Sequence, residues 1–431
     1  MNFKSKKLRA LAIASVAALS VGSLSQGASA ASQSTFNVWW YENGTAMATT
    51  WKAALAEFSA NHPELKINFQ LKTWAQLQNA GNALLSSGSA PDLTEWNKGN
   101  ATAGTAAAAG LLSPLDGYDS SYHWDKVLTP SVKAYGQYNS DGIMGSGRLY
   151  GVPSYGEYVS WFYNKDLFAK YNVTVPTTFA DLEADLAKFK AAGVTPISMS
   201  GKDYLIVHMM YGLTMTKANL NWVKAYQSYS SPVNFSGPEW SFAPTTVVAW
   251  NKAGYFSPNV AGTDATTAVN DFEAGKYPLL FGGTWLDQDV EAKATSFKWG
   301  KFTMPGNLVV GSAGNLLVIP AKSKHKADAA EFINMILSSK YQNMLADNGG
   351  LPIGATAAHL AAEKDPVTLL TNQLFNQILT KQGLGMYPDW PAAGQYNELL
   401  ADETQLLTDG NVASFDQKSG AYYNANNPAN S

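Results

Sequence analysis

Apolar positions in the first hundred residues switch between two periods. Thr35–Tyr41 (TFNVWWY) is a nearly continuous apolar run and predicts a buried strand. Met47–Asn61 follows with Trp51, Leu55 and Phe58 on one helical face, and Leu65–Lys72 (LKINFQLK) alternates as a second strand. Trp74–Ser86 reads as a helix and Pro91–Glu95 as a third strand. Strands and helices in this alternation predict a parallel sheet flanked by helices. An Ala-rich helix is expected over Ala101–Ala109, and Asn139–Gly147 (NSDGIMGSG) has the composition of a loop.

The same alternation resumes downstream. Thr178–Ala192 carries Phe179, Leu182, Leu186 and Phe189 at helical spacing, and Thr195–Met199 is a short strand. Helices are expected over Tyr204–Thr216, Ala218–Tyr229, Thr245–Ala253, Thr266–Ala274 and Ala327–Leu337. Tyr277–Gly282 reads as a strand, and Ser296–Pro305 and Ser312–Pro320 as extended segments. No repeat of 20 to 50 residues is visible.

Between the two halves lies Gly151–Phe168 (GVPSYGEYVSWFYNKDLF). It opens on breakers, presents Tyr155, Glu157, Tyr158 and Trp161 on a strand, and ends in a turn at Asn164–Asp166. A carboxylate beside aromatic planes suits a carbohydrate, whose rings have apolar faces and a rim of hydroxyls. The segment resembles the mid-chain signature of bacterial extracytoplasmic sugar-binding proteins of ABC importers, the maltose-binding-like group known as family 1. In that group a strand crossing between lobes carries a ligand-binding Glu followed by Tyr-Asn-Lys-Asp-Leu, which puts Glu157 at the ligand. Other landmarks follow in the family's order: Pro91-Asp92-Leu93; Ala109–Leu112 with Pro114-Leu115; Phe272–Lys276 with Gly282–Trp285; and Gly349–Pro352.

This resemblance implies an α/β, two-lobed periplasmic-binding-protein fold of type II, each lobe a mainly parallel sheet with helices and the ligand cleft between. It places the N-lobe at 31–154 and 304–350 and the C-lobe at 155–303 and 351–431. Hinges are expected near Tyr155, Pro305 and Gly349–Pro352. The permease subunits of an ABC importer are the implied protein partners, and the protein is expected to be a monomer.

Composition narrows this picture. Lys4, Lys6, Lys7 and Arg9 precede an apolar run, Leu11–Val21, and small residues at Ala28-Ser-Ala30, the pattern of a signal peptide over 1–30. The formal charge is −3; without those four basic residues, 26 Lys and Arg face 33 Asp and Glu, giving −7. An acidic chain argues against nucleic acid as a partner. The absence of cysteine removes thiol chemistry, disulfides and a lipid-modified Cys, so an extracytoplasmic protein without a lipid anchor is expected, in the periplasm or wall space. Charged residues are only 15% and aromatics 12%, with 13 Trp and 21 Tyr.

Candidate stacking planes are Trp40, Tyr41, Trp96, Tyr155, Tyr158, Trp285 and Trp390, each near a strand end or a breaker. Core packing is the competing reading for any one of them. Candidate hydrogen-bonding partners are Glu42, Glu95, Asn97, Glu157, Asp203, Asp287 and Asp389, because a carboxylate can accept from two sugar hydroxyls. Surface charge or helix capping is the alternative for these, and Asp203 in particular could cap the helix from Tyr204. Nucleophile-elbow, zinc and phosphate-loop motifs are missing and the five His are scattered. No catalytic residue, metal or cofactor is therefore expected. The leading reading is a sugar receptor, with an oligosaccharide the favoured ligand. A secreted glycoside hydrolase is the alternative, since paired carboxylates meet only in the fold.

Overall fold

The computed structural model of the chain describes residues 33–41, 45–354 and 357–427, so the leader expected at 1–30 and the candidate Glu42 lie outside them. The chain begins with β1 (Ser34–Trp40), β2 (Leu65–Leu71) and β3 (Leu93–Trp96). A small hairpin of β4 (Gln137–Tyr138) and β5 (Arg148–Leu149) encloses the expected loop and leads to β6 (Gly151–Pro153). The chain then crosses into β7 (Gly156–Asn164), β8 (Ile197–Ser198), β9 (Leu279–Gly283), β10 (Trp299–Phe302) and β11 (Gly311–Ala313). It returns as β12 (Leu316–Val318).

Two larger sheets result. The first has the order β2-β1-β3-β12-β6, and the second β10-β7-β9-β8 with β11 also on β7. In the first, β1, β2 and β3 are parallel as the alternating pattern predicts, while β12 runs antiparallel to both β3 and β6. In the second, β7 is antiparallel to β9, β10 and β11, and only β8 and β9 are parallel. The expectation of mainly parallel sheets thus fits β1–β3 better than the second lobe. The physical reason is that β7 enters straight from β6 across the lobes, with no intervening helix to set a parallel direction.

The extended stretch expected over Ser312–Pro320 is split between the sheets: β11 pairs with β7, whereas β12 pairs with β3. Val309 also pairs with Leu384 in the later part of the chain, and Met304 packs in the core shared with β7 and β9. The return crossing therefore falls at residues 314–315 rather than at the expected boundary of 304. Three crossings lie side by side, with Gly314 N donating to Tyr155 O at 2.5 Å and Gly156 N donating to Leu351 O at 2.6 Å. A Cβ on Gly314 would sit 2.2 Å from the Tyr155 ring, so this close approach requires glycine.

Alternation along β1 sorts its aromatics by face. Phe36, Val38 and Trp40 point into a core with the helices Thr45–Asn61 and Lys326–Leu337, whereas Trp39 and Tyr41 belong to the opposite face. Trp40 packs against Trp51 at 5.4 Å and edge-on to Phe332 at 6.2 Å. The second lobe is built on Trp161, Phe281 and Phe302 together with the helices Phe179–Ala191 and Tyr204–Met215. Among the described residues no helix is long and apolar enough to cross a membrane.

Candidate functional site

A cavity of about 260 Å³ opens where the ends of the first sheet, the crossings and the second lobe converge. Tyr41 and Asn97 come to it from the first lobe, Glu157 and Asn315 from two crossings. Tyr204, Val207 and His208 reach it from one face of the helix Tyr204–Met215, as spacings of three and four residues dictate. Trp285 arrives on the turn after β9, and Tyr387, Asp389, Trp390 and Tyr396 from the segment before and into the helix Gln395–Asp409.

The aromatic wall is continuous. His208 meets Trp285 edge-on at 5.6 Å and Tyr387 at 5.2 Å, and Tyr387 lies 5.4 Å from Trp390. Tyr204 lies edge-on to Trp285 at 6.1 Å, and its hydroxyl accepts from Trp285 Nε1 at 3.4 Å. The segment bearing Tyr387–Trp390 is pinned from behind. Tyr211 Oη donates to Gly385 O, Gln227 Nε2 to Tyr387 O and Tyr226 Oη to Pro388 O, at 3.0, 2.7 and 2.6 Å. These bonds hold the backbone that carries the Tyr387 and Trp390 rings.

Beneath the wall runs a buried polar network across the crossings. Lys98 Nζ donates to Glu157 Oε1 at 3.0 Å and to Asn315 Oδ1 at 3.3 Å, and Ser312 Oγ donates to the same Glu157 oxygen at 3.0 Å. Asn315 Nδ2 donates to Tyr155 Oη, which donates on to Glu95 Oε1 at 3.4 Å; Glu95 Oε2 accepts from Tyr41 N at 3.0 Å. Lys98 is 1% exposed, so its charge is placed in the floor rather than offered to solvent. The network leaves Glu157 on the cavity surface while one of its oxygens is held from below.

Asp389 is walled by protein and meets the cavity with part of its surface. Burial pushes its carboxyl up to about 6; its own backbone N–H and the Lys98 charge oppose the rise, and Glu157 adds to it. Burial alone pulls His208 down to about 3, so its imidazole is neutral near pH 7.

Of the residues named from sequence, Tyr41, Asn97, Glu157, Trp285, Asp389 and Trp390 come together around this cavity. Trp96 lines an adjoining groove, and Tyr155 and Glu95 lie in the polar network behind. Four others are elsewhere. Trp40 is in the first lobe's core because it is on the wrong face of β1. Tyr158 faces Val309, Leu351 and Ile378, with its hydroxyl donated to Thr371 O at 3.1 Å. Asp287 is buried in a bidentate pair with Lys301, both bonds 2.8 Å, and accepts from Thr371 Oγ1. Burial pushes the Asp287 carboxyl above its ordinary value and pulls Lys301 below, each opposed by the other's charge. Asp203 accepts from Ser200 Oγ and Ala265 N and thus ties two loops together instead of capping its own helix.

Sequence reasoning did not assign Tyr204, Asn315, Tyr387 and Tyr396, or Lys98 in the floor, to the site. The four-residue spacing of Tyr204 and His208 was an available signal. Asn315 and Lys98 had none, because only the crossings bring them to Glu157.

Two α/β lobes joined by three adjacent crossings, with an aromatic-walled cavity between them, define a cleft-binding receptor. The chain belongs to the family of bacterial extracellular solute-binding proteins, whose family model matches residues 41–343. It is similar to a mannitol-binding protein of Pseudomonas aeruginosa, 28% identical over 279 residues that cover 59% of this chain and 60% of that one. A multiple sugar-binding protein of Streptococcus mutans is 22% identical over 283 residues, covering 62% and 66%. Among solved structures, a chitin oligosaccharide binding protein superposes with a TM-score of 0.78 at 17% identity, covering 92% of this chain and 99% of that one.

Proposed function

We propose that the protein is the sugar receptor of an ABC importer. It captures an oligosaccharide between its lobes outside the cytoplasmic membrane and hands it to membrane permease subunits. The observation that carries this reading is the cavity itself: rings of Trp285, Tyr387 and Trp390 stand beside Glu157, Asp389, Asn97 and Asn315. Apolar planes for ring faces and planar polar groups for hydroxyl pairs meet in one small space, the composition expected of a pocket that binds a small ligand. Membership of the solute-binding family and the sugar-binding names of two relatives support it. The receptor works as a monomer and returns its ligand chemically unchanged.

A thermal-shift screen over malto-, xylo- and chito-oligosaccharides tests the reading. At least one series should raise the melting temperature and be recovered intact. Trp285→Ala and Glu157→Ala should each remove most of the shift. Cleavage of the sugar, or full shifts in both variants, would overturn it.

A further inference from the structure

Behind the segment that carries Tyr387 and Trp390 is a small interior cavity of about 10 Å³, room for about one water molecule. It lies where the helices Tyr204–Met215, Phe242–Lys252, Gln395–Asp409 and Val412–Ala425 meet Pro388, and every residue lining it is buried. Val207 borders both this space and the aromatic-walled cavity, so the two stand back to back across one side chain. Tyr396, Leu399 and Glu403 follow at spacings of three and four on one helical face; the first lines the ligand cavity and the last two line the interior one. Four polar side chains reach the interior space. Tyr211 Oη donates to Gly385 O at 3.0 Å and Thr214 Oγ1 to Met210 O at 3.3 Å. The other two, Glu403 and Trp240, are 2% and 4% exposed, and Glu403 Oε2 and Trp240 Nε1 have no hydrogen-bond partner among the described residues. Folded proteins keep few such groups, because an unpaired polar atom in the interior has lost its water and gained nothing. One water molecule suits both: it accepts from the indole N–H and donates to the carboxyl oxygen.

We propose that Trp240 and Glu403 hold one internal water molecule between them, and that this bridge makes Glu403 a positioning residue for the Pro388 segment on which the Tyr387 and Trp390 rings stand. The bridge requires the neutral acid. Burial pushes the Glu403 carboxyl well above its ordinary value, and the adjacent Asp402 adds to the rise. No Lys or Arg lines the cavity to offset a charge there. The titratable groups on the packed elements are Tyr211 and the neutral His208 on the helix Tyr204–Met215, Asp389 beside Pro388, Tyr396 on its own helix, and Asp416 beside Phe415. Lys252 and Lys418, on the two other helices, are exposed. The sign follows from linkage. The folded chain holds the Glu403 proton more tightly than an opened one, so any opening that wets this carboxyl becomes easier as pH rises above 4.5. The gain is at most about tenfold per pH unit, and it stops once the folded value is reached.

Hydrogen exchange of the full chain, followed by mass spectrometry between pH 5 and pH 8, tests this on the peptide covering residues 385–390, with β1 as the reference. Glu403→Gln keeps the shape and a carbonyl acceptor but cannot ionise. The exchange rate of wild type divided by that of Glu403→Gln at the same pH should rise by at least about tenfold across this range over 385–390, and stay constant over β1. Trp240→Phe, which keeps a ring and removes the N–H, should speed exchange of the same peptide by about tenfold at every pH. Two further readouts report the groups directly. Infrared spectra of wild type at pH 8 should contain the C=O stretch of a protonated carboxylic acid that Glu403→Gln removes. Magnetisation transfer from water should reach an indole N–H whose signal Trp240→Phe deletes. A pH-independent rate ratio, or no acid band lost in Glu403→Gln, overturns the role of Glu403. An indole N–H of Trp240 that receives nothing from water overturns the bridge. No arm uses a sugar, so failure here leaves the receptor reading standing.

Discussion

Asp389 shows how one residue's surroundings set its chemistry. Its carboxyl is raised from 3.8 to about 6 by burial, so the folded chain holds that proton more tightly than the unfolded chain. The sign follows from linkage: with the folded value above the unfolded one, this group costs stability as pH rises from about 4 to about 6 and costs no more beyond. Sugar affinity should move the other way, because the ionised carboxylate accepts two hydroxyl hydrogen bonds and such charge-assisted bonds are stronger than those of the neutral acid. We expect affinity measured by calorimetry to climb through pH 6 and level off, and Asp389→Asn to flatten that climb. A wild-type profile already flat from pH 5 to pH 7 would remove Asp389 from the ligand contacts. Lys98 makes the complementary case: Lys98→Met leaves the Glu157 carboxylate buried without its cation, and denaturant unfolding should show a loss of about 3 kcal/mol or more.

Among elements, strand parity decides most of what was and was not readable. Trp40 and Tyr41 are adjacent and equally aromatic, yet one is sealed in a helix-covered core and the other borders the cavity. Glu157 and Tyr158 divide in the same way on β7. Period-2 alternation was legible in the sequence, but which face meets the cleft depends on how the helices settle on the sheet. Asp287 lies away from the cavity for another reason: its partners, Lys301 on β10 and Thr371 in the helix Pro366–Gln377, are distant in sequence. Asp287→Asn should cost about 3–5 kcal/mol in denaturant unfolding while sugar affinity below the transition is retained. Loss of binding without loss of stability would return Asp287 to the site. The turn after β3 makes a related point. Gly99 has φ +88°, and a Cβ there would lie 2.4 Å from Trp390 Cβ. Gly99→Ala should therefore cost about 1–3 kcal/mol and weaken sugar binding by displacing Trp390, both measurable on one preparation.

For the whole molecule, the lobes touch on both flanks of the cleft. Ala101 N donates to Trp390 O and Asn100 Nδ2 to Gln227 O on one flank. On the other, Gln288 Oε1 accepts from Ala46 N at 2.9 Å and its Nε2 donates to Asn348 O. These are contacts between lobes, so the arrangement seen is a closed one. A ligand touching both lobes favours the closed form by its differential affinity. Gln288→Ala removes two of the bridging bonds and should lower the closed population, which weakens apparent sugar affinity by the same fraction. X-ray scattering should show a larger radius of gyration for the sugar-free variant than for wild type, and saturating sugar should bring the two together. Equal radii without sugar would mean that the flanking contacts do not hold the lobes.

Local pattern was sufficient for the succession of strands and helices, for the parallel start of the first sheet, and for the crossing at Gly151–Phe168 with its Glu and aromatics. Those properties rest on periodicity and on breakers, which act over a few residues. The partition of the lobes at residues 314–315, the burial of Trp40, Tyr158 and Asp287, and the joining of Tyr204, His208 and Tyr387 with Trp285 were decided by the tertiary structure. Each depends on which distant segments share a face or a floor. Long-range packing and charge pairing set that choice, and neither leaves a mark at short spacing along the chain.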